Sequence, residues 1–302
     1  MPNRPWSGVF PALTTPFTPS FAPDLPALDR QIEFQIGAGV DGLVVLGSLG
    51  ENGTLTHGEK RDVLARAVRA AAGRVPVLAG VAETTTAAAC DAVRAGADLG
   101  ADGFMVLPPM QYAADAREAM THLRAVAAAS PRPLMIYNNP VAYRVDVTPA
   151  MFAALADEPK FVALKESSDN VRRITDILNA VGARYRIFAG VDDLALESFL
   201  AGADGWVAGL VCAFPRETVA LHRLAKAGRW EEARAIYRWF MPMLHLDTHP
   251  KFVHYIKLAA SLAGTGTETM RPPRLPLEGE ERAAIEEIVR TALAARPTLP
   301  SF

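Results

Sequence analysis

The sequence predicts an α/β fold, a (β/α)8 TIM barrel followed by a C-terminal helical extension, from three observations: eight short apolar runs, helical segments between them, and a junction that occurs three times. The runs cover residues 9–14, 43–47, 76–81, 104–107, 134–137, 161–165, 187–189 and 206–210 and are rich in β-branched and aromatic residues. Their hydrophobicity is nearly continuous, which marks strands covered on both faces and therefore parallel. Alanine-rich segments with helical spacing follow at 59–72, 85–95, 117–129, 149–156, 171–181 and 193–201. A right-handed crossover after each of eight strands closes most simply into a barrel. The junctions Gly39-Val40-Asp41-Gly42, Gly100-Ala101-Asp102-Gly103 and Gly202-Ala203-Asp204-Gly205 each end a helix and begin a strand. Their first glycine suits a left-handed C-cap, and Asp-Gly suits a tight turn. A doubly wound open sheet is the other option, but no Gly-x-Gly-x-x-Gly opens the first strand–helix turn, so no dinucleotide site is expected. Beyond residue 210 the pattern is helical only, at 217–227, 231–246, 251–262 and 280–294, with an irregular tail at 296–302. Residues 1–215 are thus read as the catalytic barrel and 216–302 as a helical region that packs beside it or mediates association.

Composition narrows the function. In 302 residues, 31 Lys and Arg nearly balance 33 Asp and Glu, so no basic face for nucleic acid is implied. Cys90 and Cys212 have no zinc, redox or disulfide spacing, which suits a reducing cytoplasm. The N-terminus Met1-Pro2-Asn3-Arg4-Pro5-Trp6 lacks a signal-peptide apolar stretch, and no run approaches the roughly 20 residues that span a bilayer, so no membrane partner is expected.

Within the sixth run, Phe161-Val162-Ala163-Leu164-Lys165-Glu166-Ser167, the lysine is out of character. Burial disfavours its ammonium form and leaves an amine able to attack a carbonyl at neutral pH, which points to Schiff-base chemistry. The plainer reading is a strand-end lysine that snorkels to water or pairs with Glu166. In strand geometry Lys165 shares a face with Ala163 and Phe161, and an inward-facing alanine would leave room beneath the amine.

Barrel active sites lie at the C-terminal ends of the strands. There, Gly47-Ser48-Leu49-Gly50-Glu51-Asn52 reads as a turn whose backbone N–H groups can hold a carboxylate, or as an ordinary βα turn. The fifth run ends Ile136-Tyr137-Asn138-Asn139-Pro140 and the seventh Ala189-Gly190-Val191-Asp192-Asp193. A strand tyrosine alone is usually a core residue, but a phenol near a neutral amine can move protons while the amine adds to a carbonyl, which pairs Tyr137 with Lys165. No His-x-His or Glu-x-x-His cluster falls at a strand end, so neither a metal nor another cofactor is expected. His245 and His249 are expected to face solvent or a partner.

The combination Gly47-Ser48-Leu49-Gly50-Glu51, Tyr137-Asn138-Asn139-Pro140 and Leu164-Lys165-Glu166-Ser167, in that order, resembles the dihydrodipicolinate synthase and N-acetylneuraminate lyase family over almost the whole chain. The resemblance implies a homotetramer or dimer and class I aldolase-type chemistry on small 2-oxo acids without metal or cofactor. It makes Lys165 the Schiff-base lysine, Tyr137 the general acid/base, and Ser48 the hydroxyl that relays protons to the tyrosine and helps hold the substrate carboxylate. Gly47 and Leu49 share that turn, Gly190 and Val207 match backbone positions that line the pocket, and Asp192 and Asn139 lie where hydroxyls of longer substrates would be read. Three departures stand against this. Leu49 replaces the second threonine of the turn, Ala142 stands where an arginine holds a synthase's second substrate, and the tyrosine that a synthase takes from a neighbouring subunit has only Tyr112 as a candidate. Trp6-Ser7-Gly8-Val9-Phe10-Pro11, Trp239-Phe240-Met241-Pro242 and Arg271-Pro272-Pro273-Arg274 resemble the branch of 1-pyrroline-4-hydroxy-2-carboxylate deaminases of hydroxyproline breakdown. The expected reaction is therefore dehydration and deamination of that imine acid to 2-oxoglutarate semialdehyde through a Lys165 adduct. The alternatives are an aldolase or dehydratase of a 2-keto-3-deoxy sugar acid, dihydrodipicolinate synthase, a metal-dependent aldolase, and a catalytically inactive binding protein.

Overall fold

The computed structural model describes residues 6–109 and 111–301. Residues 1–5 of the N-terminus read as leaderless, Met110 of the Tyr112 loop and Phe302 of the tail lie outside the described residues. Eight strands, β1 (Gly8–Pro11), β2 (Leu43–Val45), β3 (Val77–Val81), β4 (Gly103–Val106), β5 (Leu134–Asn138), β6 (Phe161–Glu166), β7 (Arg186–Ala189) and β8 (Gly205–Ala208), form one parallel sheet in the order β1-β8-β7-β6-β5-β4-β3-β2. The Ala12–Val44 bridge joins its two ends, with the Leu13 N–H donating to the Val44 carbonyl at 2.8 Å, and the ring closes as the expected (β/α)8 barrel.

The repeated junction does more than turn the chain. Gly39, Gly100 and Gly202 take φ of 89°, 94° and 110°, the left-handed caps their position calls for. Each aspartate reaches sideways: Oδ2 of Asp41, Asp102 and Asp204 accepts from the N–H of Val9, Val77 and Ile187 in the preceding strand, at 2.9, 2.9 and 3.0 Å. The closing glycine makes room for a ring, since a Cβ on Gly42 would lie 2.3 Å from Phe10 and one on Gly205 2.5 Å from Phe188. Those two rings meet edge-on, centroids 5.2 Å apart, and fill the barrel interior.

Helices stand at the expected places, as His57–Ala71, Thr86–Asp98, Ala116–Ala129, Pro149–Ala154, Arg172–Val181 and Ala195–Leu200. The sequence reading missed Leu25–Gly37, whose buried face includes Gln31 and Gln35. Their amides donate inward, to Thr14 Oγ1 at 2.8 Å and the Val211 carbonyl at 3.0 Å, so polar contacts interrupt the apolar face made by Leu28 and Ile32. Beyond β8 come Pro215–Lys226, Trp230–Leu244, Phe252–Leu262 and Gly279–Ala294. The first of these packs on β1 and crosses the 215/216 boundary drawn from sequence. Among the described residues no helix is long and apolar enough to cross a membrane.

Candidate active site

A cavity of about 390 Å³ opens at the C-terminal ends of the strands. Of the expected site residues, Gly47, Ser48, Leu49, Tyr137, Asn139, Lys165 and Gly190 line it, and Asp192 and Val207 do not. Lys165 stands in register between Tyr137 on β5 and Phe188 on β7. It is only 7 % exposed, so it does not snorkel. Nor does it pair with Glu166, which points to the other face, accepts from Asn138 Nδ2 at 3.1 Å and receives the Ser168 N–H at 2.8 Å. Ala163 lies beneath the amine as expected, but Phe161 does not. Leu134 pairs with Phe161 and Met135 with Ala163, and this bulge takes up Val162 and puts Phe161 out of phase.

Lys165 Nζ sits over the Tyr137 ring, 4.3 Å from its centroid. Burial lowers its ammonium pKa below the ordinary 10.5, against the opposing pull of Asp247, Tyr143 and Asp192. Burial raises the Tyr137 phenol, which stays protonated at neutral pH. The space for the lysine is made by Gly190, where a Cβ would lie 2.0 Å from Ser167 Oγ, 2.8 Å from the Glu166 carbonyl and 2.8 Å from Lys165 Cγ. Gly190→Ala is expected to fold and to lose turnover about 10²-fold by displacing the amine, as steady-state kinetics would measure.

The turn after β2 is tightly braced, with Leu46 and Glu51 left-handed at φ 60° and 56°. Thr15 Oγ1 donates to the Gly50 carbonyl at 2.7 Å and Asn52 Nδ2 to the Leu46 carbonyl at 2.8 Å. Among the described residues no protein group accepts from the N–H of Ser48 or Leu49, so both remain available to an anion. Ser48 Oγ does not bond to Tyr137, as the relay reading requires; its partner is the hydroxyl of Tyr143. Asp192 is also placed differently. Fully buried, it accepts from Trp206 Nε1 at 2.9 Å and from the N–H of Leu210 at 2.8 Å, braces the end of β8, and is pushed up to about 6 by burial. Val207 lies inside β8 at 1 % exposure, and Gly209 takes its place on the wall.

Among the lining residues not foreseen are Tyr143, Asp247 and His249. Tyr143 follows an Asn-Pro pair that reads as a turn, yet Pro140–Tyr143 is a single helical turn. Asp247 and His249 come from the segment after Trp230–Leu244. His249 therefore faces the cavity and stacks on Tyr255 at 4.8 Å, while His245 bonds Asp193 at 2.8 Å. Asp247 carries Oδ1 so close to Gly209 that a Cβ there would lie 2.4 Å away, and burial raises its carboxyl well above the ordinary 3.8. No spacing in the sequence marks either residue. The outlying motifs prove structural: Trp239 Nε1 donates to the Ala292 carbonyl at 3.1 Å, Arg271 forks onto Glu59, and Arg274 lies 3.5 Å from Glu51. None of these three side chains lines the cavity.

The chain belongs to the dihydrodipicolinate synthetase family, whose sequence profile matches residues 5–292. It is accordingly a class I lyase that works through a lysine imine. It is 36 % identical over 302 residues to the 4-hydroxy-tetrahydrodipicolinate synthase of Sorangium cellulosum, covering 98 % of this chain and 99 % of that protein. The synthase of Kosmotoga olearia is 32 % identical, with 95 % and 97 % covered. The crystal structure of dihydrodipicolinate synthase from Aquifex aeolicus superimposes with a TM-score of 0.91 at 30 % identity, over 95 % of this chain and 98 % of that one. These relatives bear the synthase name and not that of the deaminase which the outlying motifs resemble.

Proposed function

We propose that Lys165 forms an imine with a 2-oxo acid and that the cavity makes or breaks a bond at C3 or C4 of that adduct. The observation that carries this is the deprotonation-prone amine of Lys165 held 4.3 Å over the Tyr137 ring in the cavity. The N–H groups of Ser48 and Leu49 would take the substrate carboxylate, which sets C2 against Nζ. Attack by the amine and loss of water give an iminium that draws electrons from C3. The Tyr137 phenol donates to the departing hydroxyl, and its phenolate then takes the C3 proton.

The names of the relatives support condensation of pyruvate with an aldehyde, the 4-hydroxy-tetrahydrodipicolinate synthase reaction. A second reading is favoured by the far wall of the cavity. Ala142 offers no cation there, Arg144 caps the short helix outside the lining, and Asp247 presents a carboxyl that burial raises well above the ordinary 3.8. Such a wall suits a hydroxyl better than a second carboxylate, as in a hydroxylated 2-oxo acid or 1-pyrroline-4-hydroxy-2-carboxylate. Borohydride reduction with pyruvate, read by intact mass, is expected to give one adduct per chain at Lys165; failure with pyruvate and with both hydroxylated acids would remove the imine reading. Product analysis then separates the reactions. Consumption of aspartate semialdehyde marks the synthase, release of ammonia the deaminase, and cleavage or dehydration without ammonia a sugar-acid enzyme.

A further inference from the structure

Tyr143 stands edge-on to Tyr137, ring centroids 5.6 Å apart, with its hydroxyl bonded to Ser48 Oγ and within reach of the Tyr137 hydroxyl. Its placement is built in. Asn139 Oδ1 accepts the Ala142 N–H at 2.9 Å to start the single turn, Pro140 fills the first helical position, and Arg144 ends it at φ 60°. The same asparagine donates Nδ2 to the Tyr137 hydroxyl at 3.1 Å, so one side chain fixes both phenols. Tyr112, the candidate for a tyrosine supplied across a subunit boundary, is 59 % exposed and turns to Glu118. The seat beside Tyr137 and Ser48 is thus filled from within the chain.

We propose that Tyr143 completes a Ser48–Tyr143–Tyr137 proton relay inside a single chain. Once the Tyr137 phenolate has taken the C3 proton, that proton can pass on to Tyr143 as Tyr143 gives its own to Ser48 and Ser48 gives its own to water at the cavity mouth, which restores the phenolate. The reverse path returns the proton, and no electrons leave the substrate. Tyr143 acts through Tyr137 and is a positioning and relay residue. The proposal rests on the imine reading above.

The test follows exchange of the C3 hydrogens of pyruvate for deuterium by proton NMR in the full-length protein. Tyr143→Phe is expected to slow exchange at saturation about 10²-fold, with pyruvate affinity changed less than about twofold and the borohydride adduct retained. A merely structural role would move affinity and the melting temperature instead. Ser48→Ala with Tyr143→Phe is expected to lose little more than either alone, because the two act as one unit. Tyr112→Phe is expected to exchange at the wild-type rate. Wild-type exchange by Tyr143→Phe, or a loss seen with Tyr112→Phe instead, overturns the relay while leaving the imine intact. Wild-type protein that exchanges no C3 hydrogen of pyruvate overturns the imine reading for that acid, and the relay falls with it.

Discussion

Replacing Lys165 with alanine is expected to abolish the borohydride-trapped adduct and to lower turnover by at least about 10⁴-fold, since no other amine lines the cavity among the described residues. The same substitution should not destabilise the protein. The lysine is buried, and its desolvation outweighs the opposing pull of Asp247 and Asp192. Its folded pKa lies below the unfolded 10.5, so between those values the unfolded chain binds the extra proton. The cost to stability is therefore full below the folded pKa and fades as pH rises toward 10.5. Wild type should gain stability relative to Lys165→Ala through that window, which urea titrations at a series of pH values would measure. The rate of adduct formation should likewise level off at a lower pH than for a solvent-exposed lysine.

The second large effect is expected far from the reacting amine. Glu51, at the end of the turn that carries Ser48, is 1 % exposed, and its Oε1 receives Lys257 Nζ at 2.5 Å; Lys257 is itself fully buried on the helix Phe252–Leu262. Burial brings that ammonium down to about 8. Lys257→Met leaves the carboxylate with the Arg271 N–H at 3.2 Å and Arg274 at 3.5 Å, and should cost about 3–5 kcal/mol. The double change Lys257→Met with Glu51→Gln should cost less than the sum of the single changes, because neither charge is then stranded. Urea unfolding of the three variants reads this directly, and a Lys257→Met protein as stable as wild type would rule it out. The barrel and the helical region drawn as 1–215 and 216–302 are, by this proposal, not separable: the barrel half lacks the counter-charge of its own active-site turn.

What was legible in the sequence follows a physical line. The strands and most helices were, because burial on both faces and helical spacing are written in residue type. The helix Leu25–Gly37 was not, because Gln31 and Gln35 interrupt the buried face that Ala27, Leu28 and Ile32 provide. Lys165 and Tyr137 were found because a charged residue in a buried strand and a phenol at a strand end are out of place in one dimension. Gly190 was expected to line the wall, but its need to clear Lys165 Cγ is visible only in space. Tyr143 and Asp247 escaped because each reaches the cavity from a single helical turn too short for periodicity to record. Asp192 misled for the opposite reason, since a carboxylate at a strand end looks chemical until Trp206 and Leu210 are seen to use it.

The Glu51–Lys257 pair has a consequence in time as well. Glu51 is translated 206 residues before the lysine that neutralises it, an interval of about 10–40 s at ordinary rates of synthesis. Throughout it the growing chain holds a carboxylate bound for a dry site with nothing to meet it there, and the turn that carries it has Thr15 and Asn52 to brace it but not Lys257. Contacts of such long sequence separation form late. The protein therefore gains its catalytic geometry at the end of its manufacture, and a ribosome that stops short of the last helices leaves behind a chain with both Lys165 and Tyr137 and no working pocket.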